Sequence, residues 1–249
     1  MAYLGVILVA EIFIGFGGQE IGLTIHILLL FALLFHGVFL WDGDRPLAYL
    51  LMAMSLAPLD RVLSLAVPHY NFQILVWLAL VSAPLMVAAV SVAYVEGMWV
   101  EELGLHVPRS WNAVWQGAIS LSAIPLGLIE FYILRPGDWV SGSFTVAAVA
   151  GAVVVMFFAT GLAEELIFRG IMLQRARESL GTISGIVFVT GVFASLHLFY
   201  QNAYDLVFVF CVGLFYAAVV VRTRSLWGVI LSHTFANVIL YVLAPFFLK

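Results

Sequence analysis

The feature that most limits how this chain can fold is a series of long apolar stretches separated by short polar turns. Residues 72–95, for example, form a run without a single charged side chain. A helix needs about 20 apolar residues to cross the hydrocarbon core of a bilayer. The runs are continuous and do not alternate as the strands of a membrane barrel do. Because only helices and closed barrels satisfy backbone hydrogen bonds in lipid, the runs predict membrane-spanning helices.

The composition supports the same interpretation. Of the 249 residues, 64% are hydrophobic and 10% are charged, whereas a soluble domain carries roughly 25% charged residues. The helices of a soluble protein need polar outer faces, which this chain cannot supply. We therefore expect an all-α, polytopic membrane helix bundle of about eight or nine transmembrane helices. No basic run indicates nucleic acid as a partner, and the lipid bilayer is the expected environment.

The polar turns divide the chain into nine candidate spans, of which the first is the shortest and is interrupted by Glu11. They cover residues 3–16, 23–41, 47–66, 72–95, 113–134, 143–174, 183–199, 205–221 and 226–248. The residues that can carry chemistry concentrate in the later spans. We therefore divide the chain into amino-terminal transmembrane helices, residues 1–142, and a carboxyl-terminal helix core, residues 143–249.

Basic residues in the loops predict the orientation. With nine spans, one set of loops holds Arg45, Arg109, Arg175, Arg177, Arg222 and Arg224, and the opposite set holds Arg135 and Lys249. Loops rich in arginine and lysine stay on the cytoplasmic side. We therefore expect a multi-pass protein of the cell membrane, with the first set of loops and the amino terminus in the cytoplasm.

Ionisable side chains at membrane depth are functional candidates by default, because each costs about 2.5–3.5 kcal/mol to insert. The densest set falls in three segments, which read Glu164-Glu165-Leu166-Ile167-Phe168-Arg169, Phe193-Ala194-Ser195-Leu196-His197 and His233-Thr234-Phe235-Ala236-Asn237. Other ionisable residues receive structural interpretations. We expect Asp60 and Arg61 to form a local pair or to accompany a kink at Pro58, Glu11 and Glu130 to be interfacial, and His26 to be a helix-contact or lipid-interface residue.

Helical spacing separates the two carboxylates of the first segment. Residues four apart lie on one face of a helix, so Glu165 is expected to pair with Arg169. Glu164 points about 140° away from Arg169 and is left free. The same spacing places two further pairs on shared faces, Phe193 with His197 and His233 with Asn237.

A turn at Gly181 brings these segments to one depth. Glu164 lies 17 residues before this glycine and His197 lies 16 residues after it, so both come roughly 25 Å along the arms of a helical hairpin. His233 follows the polar loop after the eighth span and also lies within the membrane. Three helices can thus present Glu164, His197, and His233 with Asn237 to one buried point.

The residue types at this point suit hydrolysis of a peptide bond. Glu164 with His197 can activate a water molecule as a general base, while His233 and the Asn237 amide can donate to an oxyanion. The same Glu164, His197 and His233 can instead bind Zn²⁺, although the His-Glu-x-x-His helix signature is absent from the sequence. An amide one turn from His233 suits an oxyanion better than a zinc ion, which favours a mechanism without a metal cofactor.

The three segments resemble the motifs Glu-Glu-x-x-x-Arg, Phe-x-x-x-His and His-x-x-x-Asn of the CPBP family, which includes the type II CAAX prenyl endopeptidases. All three are complete and in order, and the resemblance covers roughly residues 143–248. It implies an intramembrane protease fold with a cavity open toward the cytoplasm. It also implies the following roles: Glu164 and His197 as the water-activating pair, His233 and Asn237 at the oxyanion, and Glu165 and Arg169 as supporting or substrate-orienting residues. We interpret Phe193 as packing beside the site.

The resemblance implies an endopeptidase that acts on a membrane-associated protein or peptide, with or without a prenylated CAAX sequence. Family members have been described as metalloproteases and also as metal-free glutamate proteases. Two other functions stay open. A non-proteolytic scaffold or immunity protein of this fold is expected to lack part of the Glu, His, His and Asn set, which is complete here. A proton-coupled transporter is expected to have repeated halves with broken helices, and the sequence indicates neither.

Overall fold

The structure is a computed structural model that describes residues 2–108, 111–140 and 144–248. Within these ranges the chain forms nine helices and no strands. They are α1 (Ala2–Gly15), α2 (Gln19–Leu40), α3 (Arg45–Ala66), α4 (Ile74–Val95), α5 (Asn112–Leu134), α6 (Val146–Leu180), α7 (Thr182–Tyr200), α8 (Ala203–Thr223) and α9 (Trp227–Phe247). Arg109 and Lys249, which entered the prediction of orientation, lie outside the described residues.

The all-helical fold predicted from the sequence is confirmed, and each expected span falls on a helix. Eight helices of the described chain are long and apolar enough to cross a membrane. The exception is α1, which has 14 residues. The sixth helix is longer than expected, because it continues to Leu180 and reaches 35 residues. Its last part carries the polar side chains that we expected beyond the membrane.

The outer faces of the bundle are apolar, as a lipid environment requires. Phe35 and Phe39 on α2 are 72% and 84% exposed, and Val87 on α4 is 67% exposed. Soluble monomers rarely expose contiguous apolar surface on this scale. Charged side chains such as Glu165 and Arg169 are instead buried inside the bundle. The polar groups of this protein therefore face its interior, which is the arrangement found in membrane helix bundles.

Several helices are interrupted, and the interruption of α3 lies beside Pro58, where a kink was one of the two expectations. The helix α3 consists of Arg45–Met54 and Leu56–Ala66, which meet at Ser55. Pro58 explains this break, because a proline lacks an N–H group and its ring collides with the carbonyl four residues earlier, here that of Met54. The helix α5 is likewise interrupted between Ser120 and Ala123.

Two helices of the carboxyl-terminal core contain wide π-helical turns. In α6 these turns cover Phe157–Leu162 and Leu166–Met172, on either side of a short α-helical stretch at Ala163–Glu165. In α9 a π-helical turn covers Ile239–Leu243. Such turns often occur at functional sites, because they displace side chains from the regular helical positions. Glu164 and Glu165 thus stand between two widened turns of α6.

The packing of the last four helices positions the site. Gly181 joins α6 to α7 with a positive φ of 84°, a conformation that glycine adopts without the steric cost of a side chain. This confirms the predicted hairpin. The helix α8 packs against α7, and α9 packs against both α5 and α6. The helices from α5 to α9 therefore pack together as one group.

The amino-terminal helices are held together by a buried charged cluster, which overturns the interfacial position expected for Glu11 and leaves the kink at Pro58, rather than a local pair with Asp60, as the correct alternative for Arg61. Glu11 is fully buried and does not lie at the interface. Arg61 pairs with Glu11, through Nε and Oε1 at 2.8 Å, and does not pair with its neighbour Asp60. His26 is buried against the same carboxylate, at 3.0 Å. A charge buried away from water needs a partner of opposite sign, and here the partner comes from another helix.

Candidate active site

A cavity of about 130 Å³ lies among the carboxyl-terminal helices. Its walls include the four side chains to which the sequence assigned the chemistry, Glu164, His197, His233 and Asn237. Glu164 comes from α6, His197 from the end of α7, and the other two from α9. The structure therefore brings these residues together around one space. This agrees with the sequence analysis, in which a hairpin at Gly181 placed Glu164 and His197 at the same depth.

Glu165 and Arg169 form the ion pair that their spacing predicted. Nη1 of Arg169 donates to Oε1 of Glu165 at 3.1 Å, and both side chains are buried. The guanidinium group also stacks over the ring of Phe193, 4.2 Å from its centre. Phe193 in turn contacts His197, with 4.9 Å between the two ring centres. The supporting residues thus form one packed group behind the cavity.

His233 lies between the two neighbouring glutamates. Its Nδ1 is 2.7 Å from Oε1 of Glu165, and its Nε2 is 3.9 Å from Oε2 of Glu164. A carboxylate only accepts hydrogen bonds, so Nδ1 carries a proton in the contact with Glu165. Helical spacing predicted only the pairing of Glu165 with Arg169. The contact between Glu165 and His233 is a second one, and it joins α6 to α9. It fixes the orientation of the imidazole and turns Nε2 toward Glu164.

Asn237, one turn further along α9, is oriented by Thr160 of α6. Its Nδ2 donates to Oγ1 of Thr160 at 3.0 Å, and Thr160 donates to the carbonyl of Met156 at 2.8 Å. The hydroxyl group has a single proton, which it gives to Met156, so it accepts from Asn237. The second N–H of the amide stays available for a ligand in the cavity.

His197 stands where the regular part of α7 ends, between Ser195 and a 3-10 turn that begins at Leu198. Its Nδ1 lies 3.0 Å from the carbonyl oxygen of Phe193. A carbonyl oxygen only accepts, so Nδ1 carries the proton, and Nε2 of the neutral ring is an acceptor. Nε2 of His197 and the carboxylate of Glu164 are therefore both able to accept hydrogen bonds from a water molecule in the cavity.

A second lobe of about 160 Å³ extends from the same site toward the amino-terminal helices. Glu164 and His197 line both the first cavity and this lobe. Its other walls include Asp60 and Arg61 from α3 and Trp77 from α4. The amino-terminal helices thus form part of the site, although no motif in their sequence indicated this.

Glu130 is the acidic residue of the site that the sequence interpretation placed wrongly. We expected it at the membrane interface, close to Arg135, but it lines the cavity together with Glu164. Arg135 stacks instead over the rings of Phe131 and Tyr132. The sequence did contain a signal for Glu130, because a carboxylate inside an apolar run is a functional candidate by default.

Three of the hydroxyl groups that line the cavity had no usable signal in the sequence. Thr160, Tyr200 and Tyr241 all line it, and the hydroxyl groups of the two tyrosines are 3.2 Å apart. Threonine and tyrosine are common in membrane helices, where they usually bond within their own helix or reach the interface. Only the packing of α6, α7 and α9 shows that these three side chains share the cavity.

The zinc alternative requires Glu164, His197 and His233 to surround one ion at roughly 2.0–2.2 Å. In the part of the chain that the structure describes, no three His, Cys, Asp or Glu side chains are grouped so that they can hold a metal ion. Glu165 binds Nδ1 of His233 and leaves Nε2 available, which is also how a carboxylate orients a histidine that binds zinc through its other ring nitrogen.

Comparison with known protein families gives an independent result for the carboxyl-terminal core. Residues 146–239 match the family model described as type II CAAX prenyl endopeptidase Rce1-like. This segment is similar to that family. The match agrees with the resemblance to the CPBP family, and the segment contains every motif residue from Glu164 to Asn237. No curated protein matches the chain, and no solved structure matches it.

Proposed function

We propose that this protein is an intramembrane endopeptidase that hydrolyses a peptide bond of a membrane-associated protein. The observation that carries this proposal is the meeting of Glu164, His197, His233 and Asn237 around one cavity in an apolar helix bundle. These side chains supply what peptide hydrolysis needs, namely a base for water and donors for the oxyanion. The Rce1-like match over residues 146–239 supports the reaction class.

In the proposed reaction, a water molecule donates one hydrogen bond to the carboxylate of Glu164 and one to Nε2 of His197. The water oxygen attacks the carbonyl carbon of the scissile bond, and Glu164 takes the proton that the water loses. The carbon–nitrogen bond then breaks, and the proton held by Glu164 passes to the leaving nitrogen. The products are a carboxylic acid and an amine, and Glu164 is again ionised.

His233 and Asn237 are assigned to the oxyanion that forms during this attack. His233 donates through Nε2 as a doubly protonated imidazolium, because its Nδ1–H is held by Glu165 and a neutral ring protonated at Nδ1 has only an acceptor at Nε2. Asn237 donates through the N–H that Thr160 leaves available. Donors whose orientation is fixed before the reaction stabilise the developing charge without the cost of reorganisation. Arg169 supports this arrangement, because it balances the charge of Glu165.

Residues 143–249 form the CPBP-like catalytic helix core in this proposal, and residues 1–142 are amino-terminal helices that complete the site. No cofactor is assigned. The substrate is a protein or peptide held at the lipid bilayer, and a prenylated CAAX sequence is the first to test because of the resemblance. The excess of loop arginines on one side supports a multi-pass topology in the cell membrane with the cavity toward the cytoplasm.

The test uses the purified full chain in lipid nanodiscs. Three substrates are compared by mass spectrometry: a farnesylated CAAX peptide, the same peptide without the farnesyl group, and an unrelated membrane-spanning peptide. We expect cleavage of at least one substrate at a single bond, with one oxygen atom from isotopically labelled water in the new carboxyl group. Absence of cleavage by the folded protein contradicts the proposal. Uptake of a solute into liposomes that depends on a proton gradient, with the same preparation, would then favour the transporter.

A further inference from the structure

A buried charged cluster connects three amino-terminal helices. Oε1 of Glu11 on α1 accepts a hydrogen bond from Nε of Arg61 on α3 at 2.8 Å. Nε2 of His26 on α2 lies 3.0 Å from the same oxygen. Glu11 and His26 are fully buried, and Arg61 is 6% exposed. Within the bundle this cluster holds the guanidinium group of Arg61 in a defined place, because a buried ion pair resists separation.

Arg61 also reaches the segment that carries His197. Its Nη2 donates to the carbonyl oxygen of Leu196 at 2.6 Å, and its guanidinium carbon lies 4.9 Å from the ring centre of Phe199. The regular part of α7 ends at Ser195, and the last carbonyl groups of a helix have no partner within it. Arg61 donates a hydrogen bond to one of these carbonyl groups, that of Leu196, which directly precedes His197.

The other side of this segment is fastened to α1. The residue after the 3-10 turn, Gln201, has a positive φ of 54°, and its side-chain amide donates to the carbonyl of Gly15. The chain from Leu196 to Gln201 is therefore held at both ends by amino-terminal helices. His197 lies between the two attachments, so the position of its ring depends on them.

We propose that Arg61, held by Glu11, positions His197 for the activation of water. This inference rests on the proposed function of Glu164 and His197. A displacement of about 1 Å from the reactive geometry costs up to about 100-fold in rate. Arginine suits the task because its guanidinium group donates in two fixed directions at once, here to a carboxylate and to a carbonyl, whereas lysine presents a single nitrogen.

Two variants test the role of Arg61. Arg61→Lys keeps the charge beside Glu11 but has one nitrogen in place of the two that reach Glu11 and Leu196, so the two hydrogen bonds cannot keep their present geometry. The double variant Glu11→Gln with Arg61→Met removes both charges, so neither is left buried alone. We expect both to lower kcat by about 10- to 100-fold, with KM within about twofold of the wild-type value because the substrate contacts stay. Wild-type kcat in either folded variant overturns the proposal.

Arg175 offers a matched control far from the cavity. Like Arg61, it binds a carboxylate and a backbone carbonyl, both of Glu96, at 2.7 and 2.9 Å. It also lies over an aromatic ring, that of Tyr49, at 4.7 Å. We expect Arg175→Lys to lower the melting temperature about as much as Arg61→Lys and to leave kcat of the folded protein unchanged. An equal loss of kcat in both variants would overturn the positioning role of Arg61.

Hydrogen exchange separates this inference from the proposed function. The amide of His197 donates to the carbonyl of Ala194, and the amides of Tyr200 and Gln201 donate to carbonyl groups within the segment. We expect all three amides to exchange faster in Arg61→Lys but not in Arg175→Lys. Unchanged exchange overturns the positioning role even if the wild-type protein cleaves peptides. If the wild-type protein cleaves no peptide, the proposed function fails. Faster exchange in Arg61→Lys but not in Arg175→Lys would still show that Arg61 holds the segment that carries His197.

Discussion

Nδ1 of His233 lies 2.7 Å from Glu165, and Nε2 of the same ring lies 3.9 Å from Glu164. One imidazole thus meets both members of a consecutive glutamate pair. Glu165 is buried and supports the ring from behind, whereas Glu164 lines the cavity. Two residues of the same type, adjacent in sequence, are therefore expected to act differently in the proposed reaction.

Replacing Glu165 with glutamine tests the supporting role. We expect kcat to fall by about 10- to 100-fold, because a hydrogen bond to a charged group contributes about 1.5–3 kcal/mol. The melting temperature is also expected to fall, because Arg169 is left buried without a counter-charge, at a cost of about 3–5 kcal/mol. The matched control is Glu178→Gln, which removes a carboxylate that is 49% exposed and is expected to change neither value. Full activity of Glu165→Gln contradicts the assignment.

Gly161 allows α6 to approach α9 closely. A Cβ atom at this position would lie 2.8 Å from the carbonyl oxygen of Ile230 and would collide with the side chain of Thr234. Gly161→Ala is expected to force the helices apart, to destabilise the protein by about 1–3 kcal/mol and to reduce activity, since His233 moves away from its glutamate partners. Thermal unfolding and kcat are the measurements.

Gly151 on the same helix provides the control for this substitution, because a Cβ atom there meets nothing within 4 Å. Gly151→Ala is expected to keep kcat and to gain up to about 1 kcal/mol of helix propensity. If Gly161→Ala is as stable and active as Gly151→Ala, the close approach of α6 and α9 is not needed for the site.

The sequence allowed the helices and much of the site to be predicted, because both follow from local rules. Bilayer thickness sets the length of the apolar runs. Helical spacing pairs Glu165 with Arg169 and predicts that His233 and Asn237 share a face. The positive φ at Gly181 agrees with the role of glycine in tight turns. Each of these inferences uses residues that are close together in the chain.

The contacts that sequence reasoning missed join residues that are far apart in the chain. Arg61 bonds Glu11 and Leu196, and neither partner is recognisable from the residues around Arg61. Glu130 lines the cavity because α5 packs against α9. The contact of Glu165 with His233 depends on the same kind of packing between helices. Without a pattern that specifies which helices are neighbours, such contacts cannot be derived from spacing.

The predicted orientation is tested by labelling single cysteines in intact cells with a membrane-impermeant maleimide. Cys211 is exposed, so it is first replaced by alanine. A cysteine at Arg222 is expected to react only after the cells are permeabilised, because arginine-rich loops stay in the cytoplasm. A cysteine at Val146, which is 89% exposed at the start of α6, is expected to react from outside. The reverse pattern contradicts the proposed position of the cavity toward the cytoplasm.

Removal of metal tests the proposed metal-free mechanism. The side chains at the cavity supply a base and oxyanion donors without an ion. We therefore expect the purified protein to keep its peptidase activity after exhaustive chelation, with the metal content measured on the same sample. Activity that disappears with the metal and returns with stoichiometric zinc would restore the site of Glu164, His197 and His233 as a metal centre.

The most direct test of the account is the turnover of Glu164→Gln in nanodiscs. Glutamine has the same shape but accepts no proton from water, so kcat is expected to fall by about 100- to 10,000-fold. Substrate affinity and melting temperature are measured with it and are expected to stay close to the wild-type values. A kcat near that of the wild type, in a folded variant that binds substrate, would show that Glu164 does not activate the water.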